Sequence, residues 1–218
     1  MKELFVPMVN IQPVDAGEVP AVLDGAGVAW LLIGEVDWPL QYPYCPRAEF
    51  RIAHTAGGIL LHYRVSEHSV AAMASRDNGN VWEDSCVEFF SMPADDGIYY
   101  NIECNCAGTV LVGAGRDRSC RELAPQRVLN GVRRWTSMGR EPFAERIGEA
   151  AWEVALVVPY STYFMHSIAT LDGQAVPANF FKCGDRLQRP HFLSWNPVKA
   201  PLPDFHRPEC FGRLLFNK

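Results

Sequence analysis

A polar alternating stretch, residues 80–109, constrains the fold of this 218-residue chain more than any other segment. In its second half, apolar Ile102 and Cys104 alternate with hydrogen-bonding side chains, which is typical of a strand with one buried face. The hydrogen-bonding residues are Asn101, Glu103 and Asn105. Because successive side chains of a strand point to opposite faces, these three are expected to share one polar face.

The first half of the stretch has the same two-residue spacing. On an extended strand its even-numbered residues share one face: Trp82, Asp84, Cys86, Glu88 and Phe90. Residues 92–97, between the halves, contain Pro93 and an Asp-Gly pair, which are typical of a hairpin turn. The stretch therefore predicts an antiparallel hairpin in which Glu88 and Glu103 approach each other. Alternation alone is equally typical of a sandwich strand with a solvated outer face.

The rest of the chain predicts one all-β domain. Hydrophobic residues make up 48% and charged residues 21%, which is typical of a folded protein with a substantial core. Alternating runs at 48–55 and 59–67 flank a Gly-Gly turn, and further short strand patterns follow with little helix. These patterns predict a jelly-roll β-sandwich over residues 1–218, with 1–27 as an extended lead-in.

Charge and hydropathy exclude several classes of partner. The net charge is −5 and the basic residues are dispersed, which argues against nucleic acid. No apolar run approaches the roughly 20 residues that span a bilayer, so no membrane partner is expected. The N-terminus lacks the pattern of a secretory signal, which predicts a cytoplasmic chain as given, or a periplasmic or secreted one if a leader was removed. Seven cysteines without disulfide or zinc spacing are expected as small core residues.

Several motifs occur together along most of the chain from about residue 28. They are Trp82-x-Asp84-x-x-x-Glu88-Phe89-Phe90, Tyr100-Asn101-x-Glu103-x-Asn105-x-x-Gly108, Asn179-Phe180-Phe181-Lys182-Cys183-Gly184, His191-x-x-Ser194-Trp195 and Asp204-Phe205-His206-Arg207-Pro208. In combination they resemble the family 9 carbohydrate-binding modules, and most closely the stand-alone family-9-like bacterial proteins. The resemblance implies a jelly-roll sandwich that binds the end of a glycan between two tryptophans. It also implies structural calcium.

Carried onto this chain, the resemblance implies a set of sugar-binding residues. Trp82 and Trp195 would lie on the two sides of the sugar, with Glu88 on its hydroxyls. Arg116 is the preferred arginine over Arg64. The remaining candidates are Asn101, Glu103 and Asn105. An indole stacked on a pyranose contributes about 1 kcal/mol beyond burial, so such a site predicts micromolar to millimolar affinity and no catalysis.

Other functions stay open at this point. Glu88 and Glu103 could act as nucleophile and acid of a jelly-roll glycoside hydrolase, depending on their separation. A haem- or metal-binding sandwich would need an axial pair that the six scattered histidines do not suggest. An interaction-only module is a further alternative. For calcium, the Asp95-Asp96-Gly97 sequence offers oxygens but is more typical of a solvated turn.

Overall fold

The computed structural model describes residues 1–11 and 15–218, and strands dominate those ranges. In chain order the strands are β1 (Glu3–Val6), β2 (Leu31–Ile33), β3 (Glu35–Val36), β4 (Arg47–Thr55), β5 (Gly58–Ala72), β6 (Cys86–Ser91), β7 (Tyr99–Asn105), β8 (Val110–Gly115), β9 (Glu122–Leu123), β10 (Arg133–Thr136), β11 (Phe143–Pro159), β12 (Ala175–Cys183), β13 (Phe192–Ser194) and β14 (Gly212–Phe216). The two α-helices of the described ranges are α1 (Val19–Gly25) and α2 (Gln126–Gly131). Neither of these helices has the length and apolar character that crossing a bilayer requires.

The strands form two sheets. In sheet 1 the order is β1-β14-β12-β6-β7-β8-β9, with β13 and β3 attached beside β12. In sheet 2 the order is β10-β11-β5-β4-β2. Apolar side chains from both sheets form one buried cluster between them, where Phe50 of sheet 2 stacks on Phe180 of sheet 1 at 3.6 Å between ring centroids. The predicted all-β sandwich with little helix is confirmed.

The central hairpin pairs as the alternation predicts. β6 and β7 are antiparallel, with Glu88 opposite Glu103 and Phe89 opposite Ile102. Phe89 and Ile102 point between the sheets into the core, because they occupy the apolar face of the alternating pattern. Gly97 in the connecting loop has a φ of +81°, a conformation that only glycine adopts without strain. Glu88 and Glu103 therefore share the outer face of sheet 1.

That outer face is covered by protein rather than by water. Trp38, Phe205 and Phe211 pack with outward-facing side chains of sheet 1, such as Phe90 and Phe181, to form a second apolar cluster. The cover comes from the loop after β3 and from the segment between β13 and β14. Polar residues of this face are accordingly buried instead of solvated.

A buried ionic cluster lies between the two sheets. Lys182 of β12 places its Nζ 2.9 Å from Glu67 Oε2 on β5, and both side chains are fully buried. Lys182 Nζ also lies 2.8 Å from His191 Nε2 and donates to the Cys183 carbonyl. Trp152 donates its indole N–H to Glu67. Lys182 Nζ therefore has two hydrogen-bond partners and one ion-pair partner within the core.

The first 27 residues differ from the predicted extended lead-in. β1 pairs in parallel with β14 at the edge of sheet 1. α1 packs Val19 and Leu23 against the outer side of sheet 2. A capping box between Asp15 and Glu18 and a proline in the first turn start this helical segment. Residues 12–14 of the predicted lead-in lie outside the described residues.

Candidate functional site

A pocket opens on the outer side of sheet 1 above β6 and β7, and we call it the β6–β7 pocket. Glu88 and Glu103 contribute to its lining from the two strands. The aromatic side chains in its lining are Trp82, Phe192, Phe205 and His206. Strands β6 and β7 thus supply two carboxyl groups, and rings from β13 and from other segments lie around them.

Trp82 reaches the pocket from a short 3-10 helix rather than from a strand. The helix spans Val81–Glu83, and β6 begins only at Cys86, so the predicted strand face does not extend back to Trp82. The Trp82 carbonyl accepts a hydrogen bond from the Asp185 N–H, which ties this turn to the loop after β12. The half-buried indole still lines the same pocket as Glu88.

The two glutamates form a buried acidic pair. Both side chains are 3% exposed. Burial raises the pKa of the Glu88 carboxyl well above its usual range, and the charge of Glu103 raises it further. Burial also raises the pKa of Glu103 to about 7, although Arg121 and a hydrogen bond from Asn101 act in the opposite direction. Two facing carboxyls do not both ionise readily, so Glu88 keeps its proton at neutral pH.

Positive charge enters the pocket from the loop after β8. Arg118 and Arg121 both line it, and Arg121 Nη1 lies 3.8 Å from Glu103 Oε1. Arg116, the predicted arginine, does not line the pocket. It is exposed and lies near the hairpin loop, where its Nη1 would be 3.6 Å from a Cβ at Gly97. The arginines of this pocket are therefore two and five residues further along the chain than predicted.

Trp195 does not face Trp82. It is 5% exposed and packs edge-on against Phe50 and Phe180 in the core between the sheets. The predicted second ring of the site is thus a core residue, because β13 directs it inward. The rings that do share the pocket with Trp82 come from β13 and the C-terminal segment, with Phe205 stacked on Phe181 at 4.2 Å.

The two predicted amides have different surroundings. Asn101 is buried and donates to Glu103 Oε1 at 2.8 Å, so it holds a carboxyl of the pocket. Asn105 donates to Asp84, and its carbonyl accepts N–H groups of Ala107 and Thr109. Asn105 therefore organises the turn after β7 instead of lining the pocket.

His206, which is half-buried, and the buried Tyr99 form a polar contact at the pocket wall. The Tyr99 hydroxyl lies 2.8 Å from His206 Nδ1. Burial, together with the charges of Arg121 and Arg118, lowers the pKa of His206 to about 3, so the imidazole is neutral at physiological pH. His206 was not among the predicted sugar-binding residues. Its presence among the motifs of the resemblance was the available signal.

The calcium implied by the resemblance does not fit the Asp95-Asp96-Gly97 loop. Asp96 accepts the Ile98 N–H with Oδ1 and lies 3.2 Å from His166 Nε2 with Oδ2. Both oxygens are thus engaged, and calcium takes six to eight oxygen ligands. These contacts fit a turn-forming aspartate.

Comparisons with known proteins agree with this architecture. The model of the carbohydrate-binding family 9 matches residues 17–216. The crystal structure of a proposed carbohydrate-binding protein from Bacteroides uniformis ATCC 8492 is 50% identical, with a TM-score of 0.96 over 99% of each chain. A search of curated proteins gave no match.

More distant structures share the fold. A family 9 carbohydrate-binding module from Caldicellulosiruptor kristjanssonii in complex with glucose is 13% identical, with a TM-score of 0.62 over 99% of this chain and 96% of that chain. A module of that family and organism in complex with cellotriose is also 13% identical, with a TM-score of 0.60 over 99% and 94% of the two chains.

Proposed function

The chain belongs to carbohydrate-binding family 9, and from this premise we propose that the β6–β7 pocket binds one sugar residue of a glycan. The protein is a non-catalytic carbohydrate-binding module. The observation that carries the assignment to this pocket is the presence of one indole, four carboxyls and two arginines in a single lining.

The aromatic lining suits the apolar face of a pyranose. The Trp82 indole offers a stacking surface for sugar C–H groups, which contributes about 1 kcal/mol beyond burial. Phe192 and Phe205 replace the predicted second tryptophan as apolar contacts. Because these side chains are smaller than an indole, the affinity rests more on the polar groups.

The polar lining suits sugar hydroxyls, which both donate and accept hydrogen bonds. The protonated Glu88 carboxyl offers a donor and an acceptor, and Glu103 offers acceptors. Hydrogen bonds to charged groups contribute about 1.5 to 3 kcal/mol each. After the cost of association, one ring and a few such bonds give micromolar to millimolar dissociation constants.

Two buried atoms of the lining have unused hydrogen-bonding capacity within the described protein, although one of them, Arg121 Nη1, lies 3.8 Å from Glu103 Oε1. Glu103 Oε2 and Arg121 Nη1 make no hydrogen bond there. Buried polar groups in native proteins are nearly always paired, with protein or with ordered water, so this acceptor and this donor are available to a bound molecule. A sugar with adjacent hydroxyls would satisfy both.

The test is calorimetric titration with a panel of mono- and oligosaccharides. Glucose and cello-oligosaccharides come first, because structural relatives are in complex with glucose and cellotriose. We expect Trp82→Ala to weaken binding at least about fivefold, from the loss of about 1 kcal/mol of stacking. Glu103→Gln should weaken it roughly 10- to 150-fold, from about 1.5 to 3 kcal/mol.

The matched control is Trp30→Ala. Trp30 is also a half-buried tryptophan, but it lies on sheet 2 between the guanidinium groups of Arg51 and Arg64, at 4.5 and 4.1 Å from its ring centroid. The control should retain wild-type affinity. Equal losses in Trp82→Ala and Trp30→Ala would refute the pocket assignment, and cleavage products in the sugar mixtures would contradict the non-catalytic function.

A further inference from the structure

Three side chains with metal-binding atoms meet at the edge of the β6–β7 pocket. Cys183 of β12 lies directly opposite Cys86 of β6 in the antiparallel register, so both thiols project from the outer face of sheet 1. Glu88 follows Cys86 by two residues and projects from the same face. Two neighbouring strands in the middle of a sheet therefore hold all three groups in place.

The donor atoms of this trio are already close enough to share one ion. The two sulfurs and a carboxylate oxygen of Glu88 all lie within 4.8 Å of one another. The Cys183 thiol donates to Glu88 Oε1 at 3.1 Å. In a tetrahedral zinc site, bonds of about 2.3 Å place two sulfurs about 3.8 Å apart, so closure around an ion needs only small rotations.

We propose that Cys86, Cys183 and Glu88 bind a soft divalent cation, with Zn²⁺ as the natural occupant. Two thiolates and one carboxylate are ligands that zinc accepts, and thiolates disfavour magnesium and calcium. Binding replaces the protons of these groups with the metal ion, and the protons go to solvent.

The surroundings supply an entry path and an open coordination position. Cys183 and Glu88 line the pocket, while Cys86 is fully buried behind them. Three protein ligands would leave one position of a tetrahedral zinc ion for water or another small ligand. Asp185 follows Cys183 by two residues and also lines the pocket, so it is a candidate outer partner of the site.

The other buried cysteines provide a contrast within the same chain. Cys104 is as deeply buried as Cys86, but it points between the sheets, where its thiol contacts the Asn105 carbonyl. Among residues 1–11 and 15–218, Cys104 belongs to no group of three side chains whose metal-binding atoms lie close together. Cys104→Ser is therefore a matched control for Cys86→Ser.

The experiment uses untagged, reduced protein in which the more accessible Cys45, Cys120 and Cys210 are replaced by serine. Zn²⁺ is titrated against a chromophoric chelator without sugar, and Co²⁺ is titrated with detection of its thiolate charge-transfer band. We expect one equivalent of either ion. Because mass action stabilises only a metal-binding native state, Zn²⁺ should also raise the Tm.

The buried variants decide the assignment. Cys86→Ser and Cys183→Ser should each abolish stoichiometric Zn²⁺ uptake. Any Co²⁺ that still binds to these variants should show about half of the parent's charge-transfer intensity per bound ion, because one of the two thiolates is gone. Glu88→Gln should keep the band but weaken Zn²⁺ binding by more than the roughly 10- to 100-fold that loss of an outer partner costs. Cys104→Ser should bind as the parent does. Where serine impairs folding, as judged by circular dichroism, alanine replaces it.

Two results would overturn the proposal. One is folded, reduced parent protein that takes up no equivalent of Zn²⁺ or Co²⁺. The other is uptake that persists in both Cys86→Ser and Cys183→Ser, which would identify an adventitious surface ion. Either result leaves sugar binding untouched, because metal uptake is measured without sugar.

Discussion

Replacing Lys182 by methionine tests the buried ionic cluster between the sheets. Methionine keeps an unbranched apolar stem of similar length but removes the charge. Glu67 then retains the Trp152 indole N–H, at 2.6 Å, and loses its ammonium partner. Removing one member of a buried ion pair costs about 3 to 5 kcal/mol, because the remaining charge stays buried. Against a typical domain stability of about 5 to 15 kcal/mol, this is a large fraction.

A second substitution, Glu67→Gln, should restore part of the stability that Lys182→Met removes. In Lys182→Met/Glu67→Gln, the glutamine still accepts from Trp152 and carries no charge. Replacing a whole buried ion pair by neutral groups is often close to neutral, so the double variant should recover at least about 2 kcal/mol of the single variant's loss. With Glu67→Gln measured alone, the cycle is complete and gives the coupling energy of the pair.

The assay is equilibrium denaturation in urea, followed by tryptophan fluorescence and circular dichroism. Lys2→Met is the matched control, because Lys2 pairs with Glu35 at 2.7 Å with both side chains about 40% exposed. Such a pair contributes about 0 to 1 kcal/mol. If Lys182→Met costs no more than Lys2→Met, or if the double variant is less stable than either single one, the reasoning fails.

The pH dependence of the same variant gives an independent check. Burial lowers the pKa of His191 well below its usual value, and the Lys182 charge lowers it further. In wild type the unfolded state therefore gains the His191 proton as pH falls through about 6.5, and the folded state does not. Without Lys182 the pKa of His191 rises, so the stability deficit of Lys182→Met should narrow from pH 8 to pH 5. A deficit that widens would contradict this.

Two further changes have expected outcomes. A Cβ at Gly212 would lie 2.5 Å from the Trp195 ring, so Gly212→Ala should cost about 1 to 3 kcal/mol in urea denaturation; a neutral effect would show that Trp195 is loosely packed. Since the pKa of His206 is about 3, this residue's contribution to stability is lost as pH falls from about 6.5 towards 3, and His206→Gln should flatten the acid limb of the stability profile.

The hairpin was predictable because its pattern is local. Alternation of Phe89 with Glu88 and of Ile102 with Glu103 fixes which face is buried, because a one-residue slip of either strand would turn its apolar side chains outward. β12 was not predicted, because Phe181 and Lys182 are both buried on opposite faces and the segment shows no alternation. A strand buried on both sides resembles an irregular apolar loop in sequence.

The site was only partly predictable, because only some of its residues lie in a segment with a local pattern. Trp82, Glu88 and Glu103 were predicted from the hairpin and from the resemblance, and they do line one pocket. Arg121 was not, because its position depends on a loop turn in which Asp117 accepts the N–H groups of residues 119 and 120. No periodic pattern in the sequence predicts this turn or the inward direction of the Trp195 side chain. Both are decided by contacts with segments far away in sequence.

The segment between β13 and β14, which covers the outer face of sheet 1, shapes both the pocket and its chemistry. Phe205 and its neighbours shield the outer face of sheet 1, which raises the pKa of Glu88 and leaves the Glu88 and Glu103 pair opposed in a poorly hydrated site. A raised carboxyl pKa contributes stability that is present below about pH 4.5 and lost as pH rises, so at neutral pH the buried pair lowers the stability of the fold. A sandwich needs no acidic pair at this place, and an apolar pair would pack more favourably there. Strongly perturbed carboxyls in a pocket concentrate at functional sites, and this physical cost supports the assignment of the β6–β7 pocket independently of the family resemblance.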